Sequence, residues 1–411
     1  MVLMWRMNIK INFRTELSFI IYLLYLRAKE ENQVSEKKKI LFLINPKSGT
    51  GGKHSVPRLV RSFIDKEKFD VLIKETRYVA HACELAKEAV ADGVDVVVAV
   101  GGDGTVNEVA RSLIGSSVAL GIIPCGSGNG LARHLGIPLD CKKAVEFLNN
   151  AVPVAVDYGK INGSPFFCTC GIGFDALVSS SFARGTRRGL WGYMNQTLTD
   201  WLNYEPEVYE IESESFKKDY KAFLIACGNA AQYGNNAYIS PNASMRDGLL
   251  SVTILEPFPA TDVPLILGQL FGRTLTRNGH IKTFEAKWLK IKRKAAGPVH
   301  FDGEPADMDA ELFIEMVPQG LNVMASPDWN GCSVVVPLYK QLAELVSVSV
   351  SEIEAELPKM DINLPKMDIS FPKIDIPFPK VSDIVDKLPP MSSFAKGAKG
   401  LKGETERNNL L

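Results

Sequence analysis

A short apolar run followed at once by three glycines most constrains the fold of this chain. The run VVVAV at 96–100 is rich in β-branched residues, which is typical of a strand buried on both faces of a parallel sheet. GGDGT at 101–105 follows, and a helical pattern starts at Val106. Glycines let the backbone approach a ligand closely, and a helix N-terminus attracts anions. The corner therefore predicts a phosphate site, with Asp103 beside a Mg²⁺ ion that bridges the phosphates; an ordinary strand–turn–helix corner is the alternative.

Two further predicted strands end in glycine-rich turns. KILFLI at 39–44 leads into NPKSGTGG at 45–52, and VALGII at 118–123 leads into PCGSGNG at 124–130. Another predicted strand, at 69–76, ends at Thr76. In open α/β sheets, ligands gather at the carboxyl ends of the strands. The spacing therefore predicts that the three turns line one cleft.

The sequence GGDGTVNEV at 101–109 resembles the nucleotide-binding signature of the diacylglycerol-kinase-type catalytic domain. That family includes bacterial lipid kinases, which are closest in pattern, together with eukaryotic diacylglycerol kinases and sphingosine or ceramide kinases. NAD kinase, a more distant relative, also carries GGDGT. The resemblance extends over about residues 39–325 and implies ATP and Mg²⁺ as cofactors.

The resemblance also implies which residues act. The residues expected to contact ATP lie in the three turns and at the end of one strand: Asn45, Pro46, Lys47, Ser48, Gly49, Thr76, Gly101, Gly102, Asp103, Gly104, Thr105, Val106, Asn107 and Ser127. The family usually has Thr where this chain has Ser127, which preserves the hydroxyl. Phosphoryl transfer to an alcohol needs a group that receives the hydroxyl proton. Glu304 of the Asp-Gly-Glu turn is the expected base, with Asp302 holding its geometry and Asp103 as the second catalytic carboxylate.

The chain changes character near Asp157. Alternating segments at 221–227, 250–255 and 288–293 predict an antiparallel β domain, with a helical insertion at 190–204 and a last strand pair at 311–325. The family has a β-sandwich here, so the expected fold is α/β plus all-β. A Rossmann-like nucleotide domain at 39–156, with a return of 319–327, precedes a sandwich at 157–318, and the active site lies in the cleft between them. An N-terminal extension occupies 1–38 and a low-complexity tail 328–411.

A small metal site is also implied by the resemblance to bacterial members. There, Asp247 would bind a structural Mg²⁺ through its carboxylate, and Ser244 and Leu249 through their backbone carbonyls. Mg²⁺ prefers oxygen ligands and keeps several waters, so this donor set would suffice. An ordinary Asp-Gly turn is the alternative.

Composition and the chain ends limit the partners. The 411-residue chain has a formal net charge of zero, so nothing global indicates nucleic-acid binding. Its seven irregularly spaced cysteines favour a reducing compartment. The apolar stretch at 17–26 has half of the about 20 residues that a spanning helix needs, which leaves an interfacial helix, a signal peptide without a small-x-small cleavage site, or a non-native extension. We expect a cytoplasmic protein with peripheral membrane contact, and a homodimer stays open.

Prolines recur every seven residues in the tail, at 358, 365, 372 and 379. A proline in each repeat is incompatible with a continuous coiled-coil helix. The pattern predicts disorder, or a strip that binds a partner or a membrane.

The expected activity is therefore that of an ATP-dependent lipid kinase in phospholipid biosynthesis, which phosphorylates a hydroxyl of a membrane lipid. Diacylglycerol is the leading acceptor, and sphingoid bases, ceramide and phosphatidylglycerol-like lipids stay open. One alternative is a soluble NAD kinase-like enzyme, which the Asn-Pro-Lys-Ser-Gly and Asp-Gly-Glu motifs disfavour. The other is a catalytically silent lipid-binding scaffold, which the presence of Asp103 and Glu304 disfavours.

Overall fold

The computed structural model describes residues 37–46, 55–177, 179 and 204–334. The predictions for the N-terminal extension, for Lys47, Ser48 and Gly49, for most of the helical insertion and for the proline repeats lie outside these residues. No helix in the described ranges combines the length and apolar character needed to cross a membrane.

Strands and helices alternate in the first half of the described chain. Its elements are β1 (Lys38–Ile44), α1 (Val56–Phe63), β2 (Phe69–Glu75), α2 (His81–Ala91), β3 (Val96–Gly101), α3 (Asp103–Leu113), β4 (Ala119–Pro124), α4 (Gly130–His134) and α5 (Cys141–Leu148). The four strands are parallel, in the order β2–β1–β3–β4, and form the nucleotide half of a ten-stranded sheet. Every residue of β3 and β4 is buried, as the unbroken apolar runs predict. The prediction of an α/β domain is thus confirmed.

The helices cover both faces of these strands, with α1 packed on α5 and α2 on α3. The apolar stripe of α3, at Val106, Val109, Ala110 and Leu113, is buried against the sheet. Helix α5 begins with Asp140 as its N-cap, whose side chain accepts a hydrogen bond from the Lys143 backbone N–H at 2.9 Å. These contacts hold the helix N-termini at the carboxyl ends of the strands.

The described residues from Val152 onward form a β-sandwich, as expected. The elements are β5 (Val152–Ile161), β6 (Ser164–Phe166), β7 (Thr169–Gly173), β8 (Glu207–Glu212), β9 (Lys217–Ala222), β10 (Leu224–Gly228), β11 (Leu250–Leu255), α6 (Val263–Phe271), β12 (Ile281–Ala286), β13 (Trp288–Lys292), β14 (Gly297–Phe301), β15 (Glu304–Met308) and β16 (Glu311–Ala325). A six-stranded antiparallel sheet in the order β12–β11–β10–β7–β14–β15 packs against the remaining strands of the ten-stranded sheet. Ile211 and Leu289 from the larger sheet share one buried core with Ile172 and Val252 from the smaller one.

Strand β16 joins the two halves. Its first residues pair with β13 of the sandwich, and Asn322 and Val323 pair in parallel with β4. The prediction of a strand pair at 311–325 is therefore wrong, because one 15-residue strand runs through a bulge. Gln319 adopts a positive φ of 50° in the bulge, and its N–H donates to Asp157 Oδ1 at 2.8 Å. The bulge redirects the chain without ending the strand.

The predicted strand at 221–227 is also wrong, because the chain changes sheets within it. Strand β9 belongs to the larger sheet and β10 to the smaller one, and Phe223 lies between them. The N–H of Phe223 donates to the Leu255 carbonyl at 2.7 Å, and its ring packs on Phe174 and Phe258. Helix α6 was not predicted, because its nearly all-apolar sequence has no helical polar face.

Candidate active site

The start of the first glycine-rich turn, at Asn45, meets the second turn where the strand order reverses. Strands β1 and β3 are neighbours, and the chain winds outward from them in opposite directions, which is where open α/β sheets bind ligands. The backbone N–H of Asn45, just after β1, donates to the Val100 carbonyl at 3.0 Å. Its side-chain Nδ2 donates to Thr105 Oγ1, also at 3.0 Å. The residue after β1 is thus fixed to the first turn of α3.

The second and third turns are in backbone contact. A methyl group added at Gly126 would lie 2.6 Å from Gly102 Cα, and one added at Gly102 would lie 3.3 Å from Gly126 Cα. Real Cβ atoms do not approach a backbone as closely as 2.6 Å, so a side chain at position 126 would separate the turns. Glycine at these positions is explained by this close approach of two backbones.

Asp103 fixes the third turn to the start of α3. Its Oδ2 accepts the Asn129 backbone N–H at 2.9 Å, and its Oδ1 accepts that of Gly130 at 2.8 Å. Asn129 has a φ of 52°, and its side chain closes the turn through Gly126, with bonds of 3.1 and 2.7 Å. Ser127, at the tip of this turn, is exposed. Asp103, for which the sequence predicts metal binding, therefore also positions the third turn, which the sequence did not predict.

The other residues predicted to contact the nucleotide differ in how far they are exposed to solvent. Gly104 is exposed, and a methyl group there would meet no atom of a described residue within 4 Å, so none of these residues covers the N-terminus of α3. Val106 is 5% exposed, which leaves only its backbone for a ligand. Asn107 is 4% exposed, and its Nδ2 has no hydrogen-bond partner among the described residues. Thr76 is buried beside the end of β1, where its N–H donates to the Ile44 carbonyl at 2.8 Å. Pro46 is half-buried directly after Asn45.

Asp302 anchors the turn that carries Glu304. It lies between β14 and β15 with a φ of 52°. Its carboxylate accepts the backbone N–H groups of Phe167, Cys168 and Thr169 at 2.8, 2.7 and 3.1 Å. Burial raises the pKa of Asp302 to about 6, although these hydrogen bonds and the charge of Arg111 act in the opposite direction. This carboxylate therefore holds the turn in place, in keeping with the supporting function proposed for it.

Glu304 is paired across the two halves of the protein. Its Oε2 lies 2.8 Å from Nη2 of Arg111, near the end of α3, and the two side chains are 43% and 30% exposed. The guanidinium also lies over the Phe301 ring, 5.4 Å from the centroid. Arg111 was not identified from the sequence, because an arginine on the outer face of a helix gives no pattern of its own. The predicted base is thus attached to the helix that begins at the glycine-rich turn.

Cys168 places the Glu304 turn beside the third glycine-rich turn. Its N–H donates to Asp302, and its Sγ would lie 3.6 Å from a methyl group at Gly130. The pKa of the Cys168 thiol is raised well above its usual value by burial, and then by the charges of Asp302 and Asp103. Both carboxylates therefore raise the pKa of one buried thiol, which lies between the two turns.

Tyr233, whose backbone borders the third turn, contacts the Asp175–His300 pair. Oδ2 of Asp175 lies 2.8 Å from Nε2 of the buried His300, although the ring is not aligned for a hydrogen bond, and it accepts one from the Tyr233 hydroxyl at 2.7 Å. Burial acts to lower the pKa of His300, but the charge and close contact of Asp175 and the charge of Asp302 together outweigh it, and the pKa is raised. A methyl group at Gly130 would lie 3.0 Å from the Tyr233 carbonyl oxygen. The available sequence signal was Asp175 itself, an acid two residues after the end of a buried strand.

The predicted metal residues lie in a turn before β11. Asp247 Oδ1 accepts the Leu249 N–H at 3.0 Å, and the Ser244 hydroxyl accepts the Arg246 N–H at 3.3 Å. The pKa of Asp247 is raised, first by burial and then by the nearby charges of Glu285 and Asp157. No three His, Cys, Asp or Glu side chains cluster as metal ligands in the ranges described. The negative neighbours of Asp247 suit a cation that takes one carboxylate, backbone carbonyls and water.

Two family models match the chain in succession. Residues 39–161 match the diacylglycerol kinase catalytic domain, and residues 168–325 match the YegS C-terminal NAD kinase beta sandwich-like domain. A protein named "Probable lipid kinase YegS-like" from Enterobacter sp. is 32% identical over 263 residues, which are 61% of this chain and 83% of that protein. A protein of the same name from Citrobacter koseri is 30% identical over 291 residues, 68% of this chain and 95% of the relative.

Solved structures share the fold. A crystal structure titled as a diacylglycerol kinase from Bacillus anthracis str. Sterne aligns with a TM-score of 0.57 and 23% identity, covering 71% of this chain and 98% of that one. At this identity the match concerns the fold alone. The two family models together span most of the described residues, in the expected order. The chain therefore belongs to the diacylglycerol kinase-type family of lipid kinases.

Proposed function

We propose that this protein transfers the γ-phosphoryl group of ATP to a hydroxyl of a membrane lipid, with diacylglycerol as the foremost acceptor. The observation that carries the proposal is the 2.8 Å contact between Arg111 and Glu304. It joins Glu304, whose side chain is 43% exposed, to the helix whose N-terminus forms part of the nucleotide turns. Membership of a kinase family supports ATP as the phosphoryl donor.

The nucleotide would bind over the N-terminus of α3. No described residue lies within 4 Å of a methyl group placed at Gly104, and the buried Nδ2 of Asn107 offers a donor that no described residue uses. A phosphate there would accept backbone N–H groups and gain from the helix dipole. Mg²⁺, when bound with ATP, would neutralise developing charge on the phosphates, and Asp103 would hold it through water because both of its oxygens already accept N–H groups.

Glu304 would take the proton of the acceptor hydroxyl. The lipid oxygen forms the new bond to the γ-phosphorus, the bond to the ADP oxygen breaks, and the hydroxyl proton passes to the carboxylate. A side chain 43% exposed is open to such an acceptor. Arg111 limits its rotamers, and Asp302 fixes the turn below it, so the oxygen is oriented before the substrate binds.

The relatives are named as probable lipid kinases, which supports a lipid as the acceptor. The apolar helix α6 suits contact with a membrane surface, since Leu265 is 56% and Leu267 46% exposed. We propose a cytoplasmic enzyme that binds the membrane peripherally. Phosphorylation of NAD is the second candidate, because the matching sandwich model is described as NAD kinase-like.

The test is an incubation of the full chain with labelled ATP and dispersed diacylglycerol, ceramide, sphingoid base, phosphatidylglycerol or NAD, followed by chromatography of the products. We expect labelled phosphatidic acid. Label in NAD alone, or in no acceptor, would overturn the lipid kinase proposal, and label in another lipid would replace the acceptor.

Glu304→Gln tests the base in the same assay. It keeps the size and polarity of the side chain but cannot take the proton, so turnover should fall by about 10²–10⁴ while ATP affinity is retained. Glu311→Gln, which alters an exposed carboxylate paired with Lys292 at 3.0 Å, is the matched control and should be active. Loss of ATP binding in Glu304→Gln, or full activity, would place the base elsewhere.

A further inference from the structure

We propose that Cys125 and Cys141 form a reversible thiol-oxidation site that controls the third glycine-rich turn. The two sulfur atoms lie 3.7 Å apart and are not joined in a disulfide. Cys125 is the second residue of the turn at 124–130, and Cys141 is the first residue of α5. A disulfide between them would therefore connect the predicted nucleotide cleft to a helix outside it.

Both thiols are half-buried, so a small oxidant can reach them. The pKa of Cys141 is lowered to about 7, chiefly by its hydrogen bond with Cys125, although burial and the charge of Asp140 act in the opposite direction. The thiolate is the reactive form of cysteine, and a pKa near neutrality places a large fraction in that form. Cys141 is thus the attacking thiol, and Cys125 stands within reach to resolve the product.

The other cysteines provide contrasts within the same chain. Cys170 and Cys227 face each other across β7 and β10, yet both are fully buried, and the pKa of Cys170 is raised well above its usual value by burial. That pair lacks access to an oxidant, and Cys170 also lacks thiolate character. Cys332 is exposed, so it reports on simple accessibility.

The chemistry needs a hydroperoxide as the oxidant. The Cys141 thiolate attacks the peroxide oxygen, which breaks the O–O bond, releases water or an alcohol, and leaves a sulfenic acid. The Cys125 thiol then attacks this sulfur, the S–S bond forms, and a second water leaves. Two thiols are oxidised and one peroxide is reduced to two hydroxyl products. A dithiol reverses the reaction by thiol–disulfide exchange.

The disulfide would displace the turn. An S–S bond is about 2.05 Å long, so the sulfur atoms must approach by roughly 1.7 Å from their present 3.7 Å. Cys125 is held by its N–H, which donates to the Gly101 carbonyl at 2.8 Å, and the next residue, Gly126, touches Gly102. Any movement at Cys125 is passed directly to the contact between the second and third turns. The effect on nucleotide binding rests on the proposed function, whereas the oxidation site does not.

The test is disulfide mapping by mass spectrometry of the full chain after limiting hydrogen peroxide, digested without reductant. We expect a peptide crosslinked through Cys125 and Cys141 that disappears with dithiothreitol. Cys141→Ser should abolish the crosslink, and Cys332→Ser should retain it. A crosslink of other cysteines, or oxidation of Cys332 with none at 125 and 141, would overturn the proposal.

The effect of the disulfide on the third glycine-rich turn is measured separately, by comparing ATP binding to the reduced and the crosslinked protein. A displacement of about 1 Å in a positioned site can cost on the order of 10²-fold in activity, so a clear loss of affinity or turnover is expected. Cys141→Ser should keep its ATP affinity after peroxide treatment. A complete crosslink with unchanged ATP affinity and turnover would overturn the regulatory part. If the reduced protein binds no ATP at all, the proposed function fails while the mapping still decides the oxidation site.

Discussion

Nη2 of Arg111 lies 2.8 Å from Oε2 of Glu304, and this contact joins a helix of the nucleotide domain to a turn of the sandwich. Exposed ion pairs contribute about 0–1 kcal/mol to stability, so a structural purpose alone does not explain it. The ion pair instead positions the acid, since the guanidinium restrains the Glu304 side chain, which would otherwise rotate freely. The pair thus connects the two halves of the candidate site.

Arg111→Met should therefore lower kcat/KM by about tenfold to a hundredfold through misplacement of Glu304, with little change in stability. Arg111→Lys should restore part of the loss, because it keeps the charge but not the planar fork. In a Glu304→Gln background, Arg111→Met should cost little more, which a double-mutant cycle measures. Lys292→Met breaks the exposed pair with Glu311 and serves as the control. Raised activity in Arg111→Met would instead identify the pair as an inhibitory contact.

Asp103→Asn should reduce turnover by about 10²–10³. The carboxylate accepts two backbone N–H groups, and an amide would turn its NH₂ toward one of them. ATP affinity with and without Mg²⁺ separates two effects: loss of the metal contact removes only the Mg²⁺-dependent gain, whereas loss of the turn weakens both affinities equally. Asp140→Asn is the matched control, because Asn caps a helix as well as Asp does. Normal turnover in Asp103→Asn would reduce Asp103 to an ordinary turn residue.

The sequence was most informative where a local pattern determines the structure. The runs at 39–44 and 96–100 predicted buried parallel strands, and the glycines after them predicted turns, because both signals are contained in a few adjacent residues. The change of sheet at Phe223 depends on Leu255 and Phe174, which are distant in sequence, so alternation alone extended one strand through it. Arg111 is a similar case, since its partner Glu304 lies 193 residues further along the chain.

Asp247→Asn should remove a stabilisation by Mg²⁺ that does not require nucleotide. A ligand that binds only the folded state raises stability by RT ln(1 + [L]/Kd), which is about 1.4 kcal/mol at ten times Kd. We expect Mg²⁺ to raise the melting temperature of the nucleotide-free protein, and the variant to lack this shift. Asp140→Asn should behave as the parent does. An equal shift in Asp247→Asn would show that Mg²⁺ acts at another place.

His134 should make the protein sensitive to acid. It is fully buried in α4, its Nδ1 accepts the Ala231 N–H at 3.1 Å, and its Nε2 lies 3.0 Å from the Gly331 carbonyl oxygen. Because Nδ1 accepts and the carbonyl needs a donor, we assign the proton of the neutral ring to Nε2. Burial lowers the pKa of His134 to about 4 from an ordinary value near 6.5. A protonated ring would lose the bond to Ala231 and place a charge in the core.

The direction of the pH dependence follows from the pKa of His134 in the folded protein and in the unfolded chain. The unfolded chain binds this proton more tightly, so the stability contributed by neutral His134 is complete above pH 6.5 and is lost as the pH falls toward 4. The loss amounts to about 3 kcal/mol, and His134→Gln should lack it. The unfolding free energies of parent and variant, measured by denaturant between pH 7 and 4, should therefore converge as the pH falls. Leu131→Ala, in the same helix, should cost about 2–5 kcal/mol at every pH because it removes no titrating group. Parallel curves for the parent and His134→Gln would contradict the prediction.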